Sequence, residues 1–228
     1  MTKAIISYDD TLNDHDALAL ARVLGDAGAE LVLAYVRHTT LQERAREELE
    51  EHEAQALLAR GARWLGDLDV ERRVVMSAST AEGLRWLAEH EQADIVVFGS
   101  DYRTPAHRVS PQRSAQKLLE GGNAAVAIAP ANYRAARERP LQTIGVLAGA
   151  GDDAALATAD ELAARLGARL TTADSECDLL IVGSRPEAHR GQVMITAQAQ
   201  NTIENARQPV LVLAREIALG FRESVYIA

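Results

Sequence analysis

The chain repeats part of itself. The stretch DIVVFGS at 94–100 returns as DLLIVGS at 178–184, with Asp94 matching Asp178 and Gly99 matching Gly183 at an offset of 84. The register runs on without a gap through Ala115 and Ala199, Gln116 and Gln200, Leu119 and Ile203, Val126 and Val210. Earlier, Ile5 matches Ile144 and Gly28-Ala29 matches Gly167-Ala168 at an offset of 139. A constant offset held over such a length marks a repeated structural unit. The two offsets differ by 55, so the second copy lacks 55 residues that the first holds between about 34 and 93. Whatever the first copy folds into, the second folds into the same thing with a block removed.

The first copy alternates strand and helix patterns. Apolar runs at 4–9, 30–36, 72–77, 94–99 and 124–129 read as strands. Between them, Ala17, Leu18, Ala21 and Leu24 recur at helical spacing over 14–27. Thr40 and Glu43 form a capping box before a charged helix at 41–65, with Arg44–Glu48 and Arg46–Glu50 as pairs on an exposed face. Thr80 caps a helix carrying Leu84 and Leu87, and a further helix covers 112–121. The order is strand, helix, strand throughout. It predicts an α/β fold, a parallel five-stranded sheet flanked by helices, followed by a shortened second copy of the same fold. The domains read as 1–132, a truncated 141–215 and a tail at 216–228. The missing block is helix, strand, helix. Its loss brings RLTTA (169–173) within four residues of DLLIV (178–182). Parallel neighbours need a crossover of about a dozen residues, so the second sheet is expected to be smaller, with its 169–173 strand short or displaced.

Composition narrows the function classes. A net charge of −9 argues against a nucleic-acid partner, and no apolar run approaches the roughly 20 residues that span a bilayer, so no membrane partner is expected. Residues 1–30 show no basic start followed by a long apolar core, so no secretory leader is expected. The single cysteine, Cys177, cannot form an internal disulfide, which suits a reducing cytoplasm. Aromatic residues make up only 4% of the chain, so the core rests on Ala, Leu, Val and Ile, as helices packed on a parallel sheet require.

On these patterns the chain resembles a tandem universal stress protein, over roughly residues 3–215. Nucleotide-binding members of that family carry G-x2-G-x9-G-[ST] between strand four and helix four. The spacing survives here as Gly99, Tyr102, Gln112, Arg113 and again as Gly183, Pro186, Thr196, Ala197, with only the leading glycine kept each time. The family's V-D-x-S end to strand one falls on Tyr8-Asp9-Asp10-Thr11, where Asp9 and Thr11 fit; the second copy has Leu147-Ala148-Gly149-Ala150, which fits neither. The resemblance implies an ATP or AMP site in the first copy at Asp9, Thr11, Val36, Gly99, Ser100, Arg103, Arg113 and Ser114, with magnesium only alongside a nucleotide. It also implies a stress-response role without catalysis and a pairing of the two fifth strands within one chain as a pseudo-dimer; a second chain covering the surface left by the missing block would make a homodimer. The departures weaken the nucleotide site. Glycines let loop amides approach a polyphosphate, Tyr102, Gln112 and Pro186 fill that space, and proline has no amide to donate. Against that, Arg103, His107, Arg108 and Arg113 add positive charge to the first loop. The alternatives are a ligand-free interaction module and a nucleotide-hydrolysing enzyme.

Other signals read blandly. GAGDDA at 149–154, with Asp174 beyond it, imitates a dinucleotide fingerprint, but Asp152 and Asp153 would face the pyrophosphate. Asp9, Asp10, Asp14 and Asp16 cluster where a magnesium ion would be held, or where Asp14 and Asp16 cap the helix that follows. The six histidines show no metal spacing, and no serine lies in a nucleophile elbow. The tail segment SVYIA (224–228) has strand character and is the expected cover for surface left by the missing block.

Overall fold

Why the first half pairs its strands as it does follows from the alternation of short apolar runs with helices: each helix carries the chain back so that the next strand lies parallel to the last. In the computed structural model, which describes residues 2–38, 47–66, 69–136, 140–148, 153–172 and 176–221, the first half contains β1 (Lys3–Ser7), α1 (Leu12–Asp26), β2 (Glu30–His38), α2 (Glu47–Leu65), β3 (Glu71–Ser77), α3 (Thr80–His90), β4 (Ile95–Gly99), α4 (Arg113–Leu119) and β5 (Ala125–Ala129). A short 3-10 helix, Tyr133–Ala136, leads to the second half: β6 (Thr143–Leu147), α5 (Ala154–Leu166), β7 (Arg169–Thr172), β8 (Leu179–Val182), α6 (Ala197–Asn205) and β9 (Val210–Val212).

The expected five-stranded sheet with a separate smaller one is corrected to a single sheet of nine strands, ordered β3-β2-β1-β4-β5-β9-β8-β6-β7. Every pairing is parallel except β5 with β9, which is antiparallel. β4 and β5 are buried at every position, and so are β8 and β9, so an unpaired edge at β5 or β9 would be an aggregation liability. Pairing the two strands removes both edges. Val126 faces Val212, Ala127 faces Leu211 and Ile128 faces Val210. The 84-residue offset carries 126, 127 and 128 onto 210, 211 and 212, so this pairing is two-fold symmetric about Ala127 and Leu211.

The core has two faces that run through both halves. On one, α1, α2 and α5 cover Ile6, Val97, Ala127, Ile144, Ile181 and Leu211. On the other, α3, α4 and α6 cover Ile5, Val96, Val126, Leu180 and Val210. Leu219 and Phe221 are buried in the first of these cores. The Leu219 N–H donates to Thr158 Oγ1 at 3.0 Å, and the Gly220 carbonyl accepts from Thr2 N and Oγ1 at 3.1 and 2.8 Å. This part of the tail therefore ties α5 to the start of β1. The strand expected at 224–228 lies outside the described residues.

The short link between β7 and β8 is accommodated by separating them. They lie on opposite sides of β6, and β7 is only four residues long. Cys177 sits on the face of β6, where a Cβ on Gly145 would lie 2.7 Å from its Sγ. Partner registers also move one sequence match. Ile5 lies opposite Val96, but it is Gly145 that lies opposite Leu180, the residue 84 beyond Val96. In β1 and β6 the true correspondence is therefore one residue later than Ile5 with Ile144. A one-residue slip swaps the faces, and Ile144 indeed belongs to the core opposite that of Ile5.

Helix ends differ from expectation in detail. The N-cap of α3 is Ser79 rather than Thr80; its hydroxyl accepts from Glu82 N at 3.3 Å. α1 begins at Leu12 with Thr11 as cap, and α4 covers 113–119 rather than 112–121. The Thr40–Glu43 capping box lies outside the described residues. Among the described residues no helix is long and apolar enough to cross a membrane.

Candidate functional site

The β1–α1 turn and the loop after β4 meet at the carboxyl ends of the strands, where ligands bind in open α/β sheets. Thr11 and Asp14 make the contact rigid. The Asp14 carboxylate accepts from Thr11 N at 2.9 Å, from Thr11 Oγ1 at 2.8 Å and from Asp9 N at 3.1 Å, while Asp14 N donates to Thr11 Oγ1 at 3.3 Å. This is a reciprocal cap that satisfies the helix N-terminus. Burial, reinforced by the Asp9 carboxyl beside it, pushes Asp14 up to about 8. Asn13, one residue earlier, donates from Nδ2 to the Ser100 carbonyl at 2.7 Å. Its own carbonyl lies 1.9 Å from where a Cβ on Gly99 would be. Gly99 is thus required by the backbone of α1 rather than by space left for a ligand.

Hydrogen bonds join Asp9 and Thr11 through Asp14, and join that turn through Asn13 to Ser100 beside Gly99. Val36 is buried, with its Cγ1 2.7 Å from the place of a Cβ on Gly83 in α3. Arg103 is exposed and lies over the Tyr102 ring, 4.9 Å from its centroid. Arg113 is exposed at the first position of α4, and Ser114 is half-buried beside it. Gln112, the N-cap of that seven-residue helix, makes no capping hydrogen bond. Arg108 turns away toward the second half, where its Nη1 donates to the Asn205 carbonyl at 3.1 Å.

The loop's hydrogen bonds explain why it is closed. The Ser100 hydroxyl, fully buried, donates to the Ala129 carbonyl at 2.7 Å and accepts from Ser110 N at 3.2 Å. Asp101 N donates to the Ser110 carbonyl, Thr104 N to the Asp101 carbonyl and Arg103 N to Asp101 Oδ1. His107 N donates to the Ala131 carbonyl and Val109 N to the Ala206 carbonyl.

The loop after β8 repeats this network 84 residues on. The Ser184 hydroxyl donates to the Leu213 carbonyl at 2.7 Å and accepts from Met194 N at 3.1 Å. Arg185 N donates to the Met194 carbonyl and Gly191 N to the Arg215 carbonyl. Across the two halves the bonds are reciprocal: Val109 N to Ala206 at 3.1 Å, and Val193 N to Gly122 at 2.8 Å. Left-handed backbone repeats as well, at His107 (φ 61°) and Gly191 (φ 79°), and at Asn132 (φ 67°) and Glu216 (φ 59°).

Two polar groupings were not legible in the sequence as such. Asp16, expected as a helix cap, is instead fully buried and holds the segment after β5. It accepts from Asn132 N and Arg134 N, both at 2.8 Å, and from both sides of Arg134 Nη1 at 3.0 Å. Nothing in residue spacing signals a partner 118 positions away. Asp10, in left-handed conformation (φ 67°), accepts from Tyr8 Oη at 2.7 Å and Arg60 Nε at 2.6 Å. Burial raises its pKa, but those two donors outweigh it and hold the carboxyl below its ordinary value. His15 stacks between Tyr8 and Trp64, 3.6 Å from Asp10. Among the described residues no group of His, Cys, Asp and Glu is arranged to hold a metal ion.

No protein-family model matches the chain, and no curated protein matches it in sequence. Solved structures do match in shape. A universal stress protein from Archaeoglobus fulgidus DSM 4304 superposes with a TM-score of 0.70 at 12% identity, over 93% of this chain and 98% of that one. A putative universal stress protein from Pseudomonas aeruginosa UCBPP-PA14 gives 0.63 at 15%, over 95% and 94%. A protein of unknown function from Pseudomonas aeruginosa PAO1 gives 0.61 at 14%, over 95% and 93%. The chain has the universal stress protein fold.

Proposed function

We propose that the chain is a non-catalytic, cytoplasmic stress-response protein of the universal stress type. In this reading its second half is a shortened second copy of the first, and the crevice of the first half is a degenerate site for adenine nucleotide or another anion. Magnesium would enter only with a nucleotide. The copy is supported by the hydrogen bonds that recur at the 84-residue offset and by their reciprocity across the two halves, since an isologous pairing of like units makes residue i contact j and j contact i. The two halves then form a pseudo-dimer joined at β5 and β9.

The observation that carries the degenerate site is the closed loop after β4. Backbone amides bind phosphate only when they are unengaged, and those of Asp101, Arg103, Thr104, His107, Val109 and Ser110 all donate within the chain. The same observation favours, as a second reading, a module that works through protein contacts alone. Calorimetric titration with ATP separates the two. A triple variant Tyr102→Gly, Gln112→Gly, Arg113→Ser restores the family spacing and is expected to bind ATP measurably more tightly than the unaltered protein. Micromolar ATP binding by the unaltered protein would refute the degenerate reading. No gain in the variant would leave the interaction module as the better account.

A homodimer completes the proposal. It is supported by the far end of the sheet, where β7 has no strand on its outer side among the described residues and Leu170 is 41% exposed. Unpaired strand edges are templates for a second chain. Light scattering is expected to give twice the chain mass, reduced to the monomer by Leu170→Lys.

A further inference from the structure

The molecule has a concave region away from the nucleotide crevice. It is a cavity of about 1090 Å³ between the segment after β5, the starts of β8 and β9, and α6. None of the residues expected to bind nucleotide lines it. Its origin is legible in the packing of the two halves. In the first half α3 covers the flank of α4, with Arg85 Nη2 reaching the Lys117 carbonyl and Asn123 Nδ2 donating to Glu89. The residues 84 beyond Lys117 and Asn123 are Asn201 and Arg207, and both line the cavity. Among the described residues no helix takes the place beside α6 that α3 takes beside α4.

The lining has a distinct chemistry. Asn132, Gln142, Asn201, Asn205 and Gln208 line it with carboxamides, of which Asn205 Nδ2 bonds to Asn201 and Gln208 bonds to Arg207 N and Cys177 Sγ, and Tyr133 adds an aromatic ring. Each carboxamide both donates and accepts and carries no charge at any pH. Leu180, Leu141, Pro130 and Pro209 provide apolar walls. Polar and apolar groups therefore share the surface about equally, and a concave surface at the junction of two units is a common place for a small-molecule site. Charge in the cavity opposes an anion. Besides Tyr133, the charged or titratable side chains among the described lining residues are Glu176, Asp178, Arg207, His107 and the thiol of Cys177, and the first four are exposed. The Asp178 carboxylate is already engaged, accepting from Gln142 N at 2.9 Å and from Thr143 N and Oγ1 at 2.9 and 3.0 Å. Burial and the nearby Asp178 charge push the Tyr133 hydroxyl up to about 12, so it stays a neutral donor. Hydroxyl groups match carboxamides in both directions, and the faces of a sugar ring match an aromatic ring whose edge is polar.

We propose that this cleft binds a neutral, hydroxyl-rich small molecule of the saccharide type. The single cysteine makes the test specific. Cys177 is half-buried in the wall of the cleft, with its Sγ 3.5 Å from Gln208 Nε2. Its alkylation by iodoacetamide is followed by mass spectrometry on the full chain in the presence of glucose, maltose or trehalose. At least one of the three is expected to slow the reaction about tenfold at roughly ten times its Kd, the protection that simple occupancy gives. The variants Asn201→Leu and Asn205→Leu, at exposed positions of α6, are expected to react at the same rate with and without sugar, which rules out a solvent effect. Absence of protection by all three sugars overturns the proposal. So does protection by AMP or spermidine without protection by sugar, which would assign the cleft to a charged ligand.

Discussion

The loops after β4 and β8 are built alike and used alike, while the helices around them are not. Each loop buries a serine hydroxyl between the end of its own strand and the end of the next, and each reaches across to the other half with one amide. The surrounding helices differ because α2, β3 and α3 have no counterpart in the second half. In α1, Ala17, Leu18 and Ala21 are fully buried, and α2 packs alongside. The residues 139 beyond them in α5, Leu156, Ala157 and Asp160, are exposed. The two halves therefore share the bonds that join them and differ in the helix faces around them. What the difference teaches is that the junction of the two halves, not the ligand crevice, is the feature both halves preserve.

That comparison can be broken in four ways. The largest effect is expected from ending the chain after Arg215. This removes Leu219 and Phe221 from the core, and burying two such side chains contributes about 5 kcal/mol. The truncated protein should unfold at much lower denaturant or fail to accumulate. A truncated protein with an unchanged midpoint would show that the tail plays no part in holding α5 against β1.

Next is Asp16→Ala. The first half holds its outgoing chain through this buried carboxylate, whereas the second half has Ala155 at the corresponding position, also fully buried. Removing one partner of a buried ion pair costs about 3 kcal/mol. Urea melts should show that loss for Asp16→Ala and a smaller one for Arg134→Met, because Asp16 keeps its two backbone donors, Asn132 N and Arg134 N, in that variant. Equal losses for both would mean that the ion pair, rather than the two backbone amides, carries the anchor.

The matched serines give a like-for-like test. Ser100→Ala and Ser184→Ala each leave a buried amide and carbonyl without a partner, at about 2 kcal/mol apiece. Similar values support the equivalence of the two loops. A loss at Ser100 with none at Ser184 would mean that the second loop is a resemblance of form only.

The last test is a pH slope arising in the first half. Asp14 is raised to about 8 in the folded chain from its ordinary value near 4. The folded state therefore holds a proton that the unfolded state has released over this range. The associated stability is fully present below about pH 4 and is lost as pH rises through 8. Chemical denaturation at pH 5 and pH 8 should show this decline in the unaltered protein and a flatter profile in Asp14→Asn. An unchanged slope in that variant would assign the decline to another group.

Much of the fold could be read directly because it is local or periodic. The alternation of apolar strand runs with helical spacing predicts a parallel sheet with helices on both faces, and Asp94 with Asp178 predicts the register of the two loops. Asp14 was readable as an acidic residue at the start of α1, but the cap itself is Thr11. The crevice was readable only in part. Asp9, Thr11, Gly99 and Ser100 meet there because they sit at the ends of β1 and β4, neighbours in any such sheet. Whether the loop's amides stay open is decided by partners far along the chain, at Ala131 and Ala206, which no local pattern specifies.

The sequence by itself determined the kind of layers, the repeat and the missing block, since each depends on spacing along one stretch of chain or on comparison of two. Only the tertiary structure decided that Asp16 holds Arg134 rather than capping a helix, and that Cys177 fills the space above Gly145. It also placed the large cavity beside α6. Those outcomes rest on side chains brought together from positions scores of residues apart. Their energies come from excluding water and satisfying buried polar groups at the point of contact, and a contact of that kind leaves no period in the sequence.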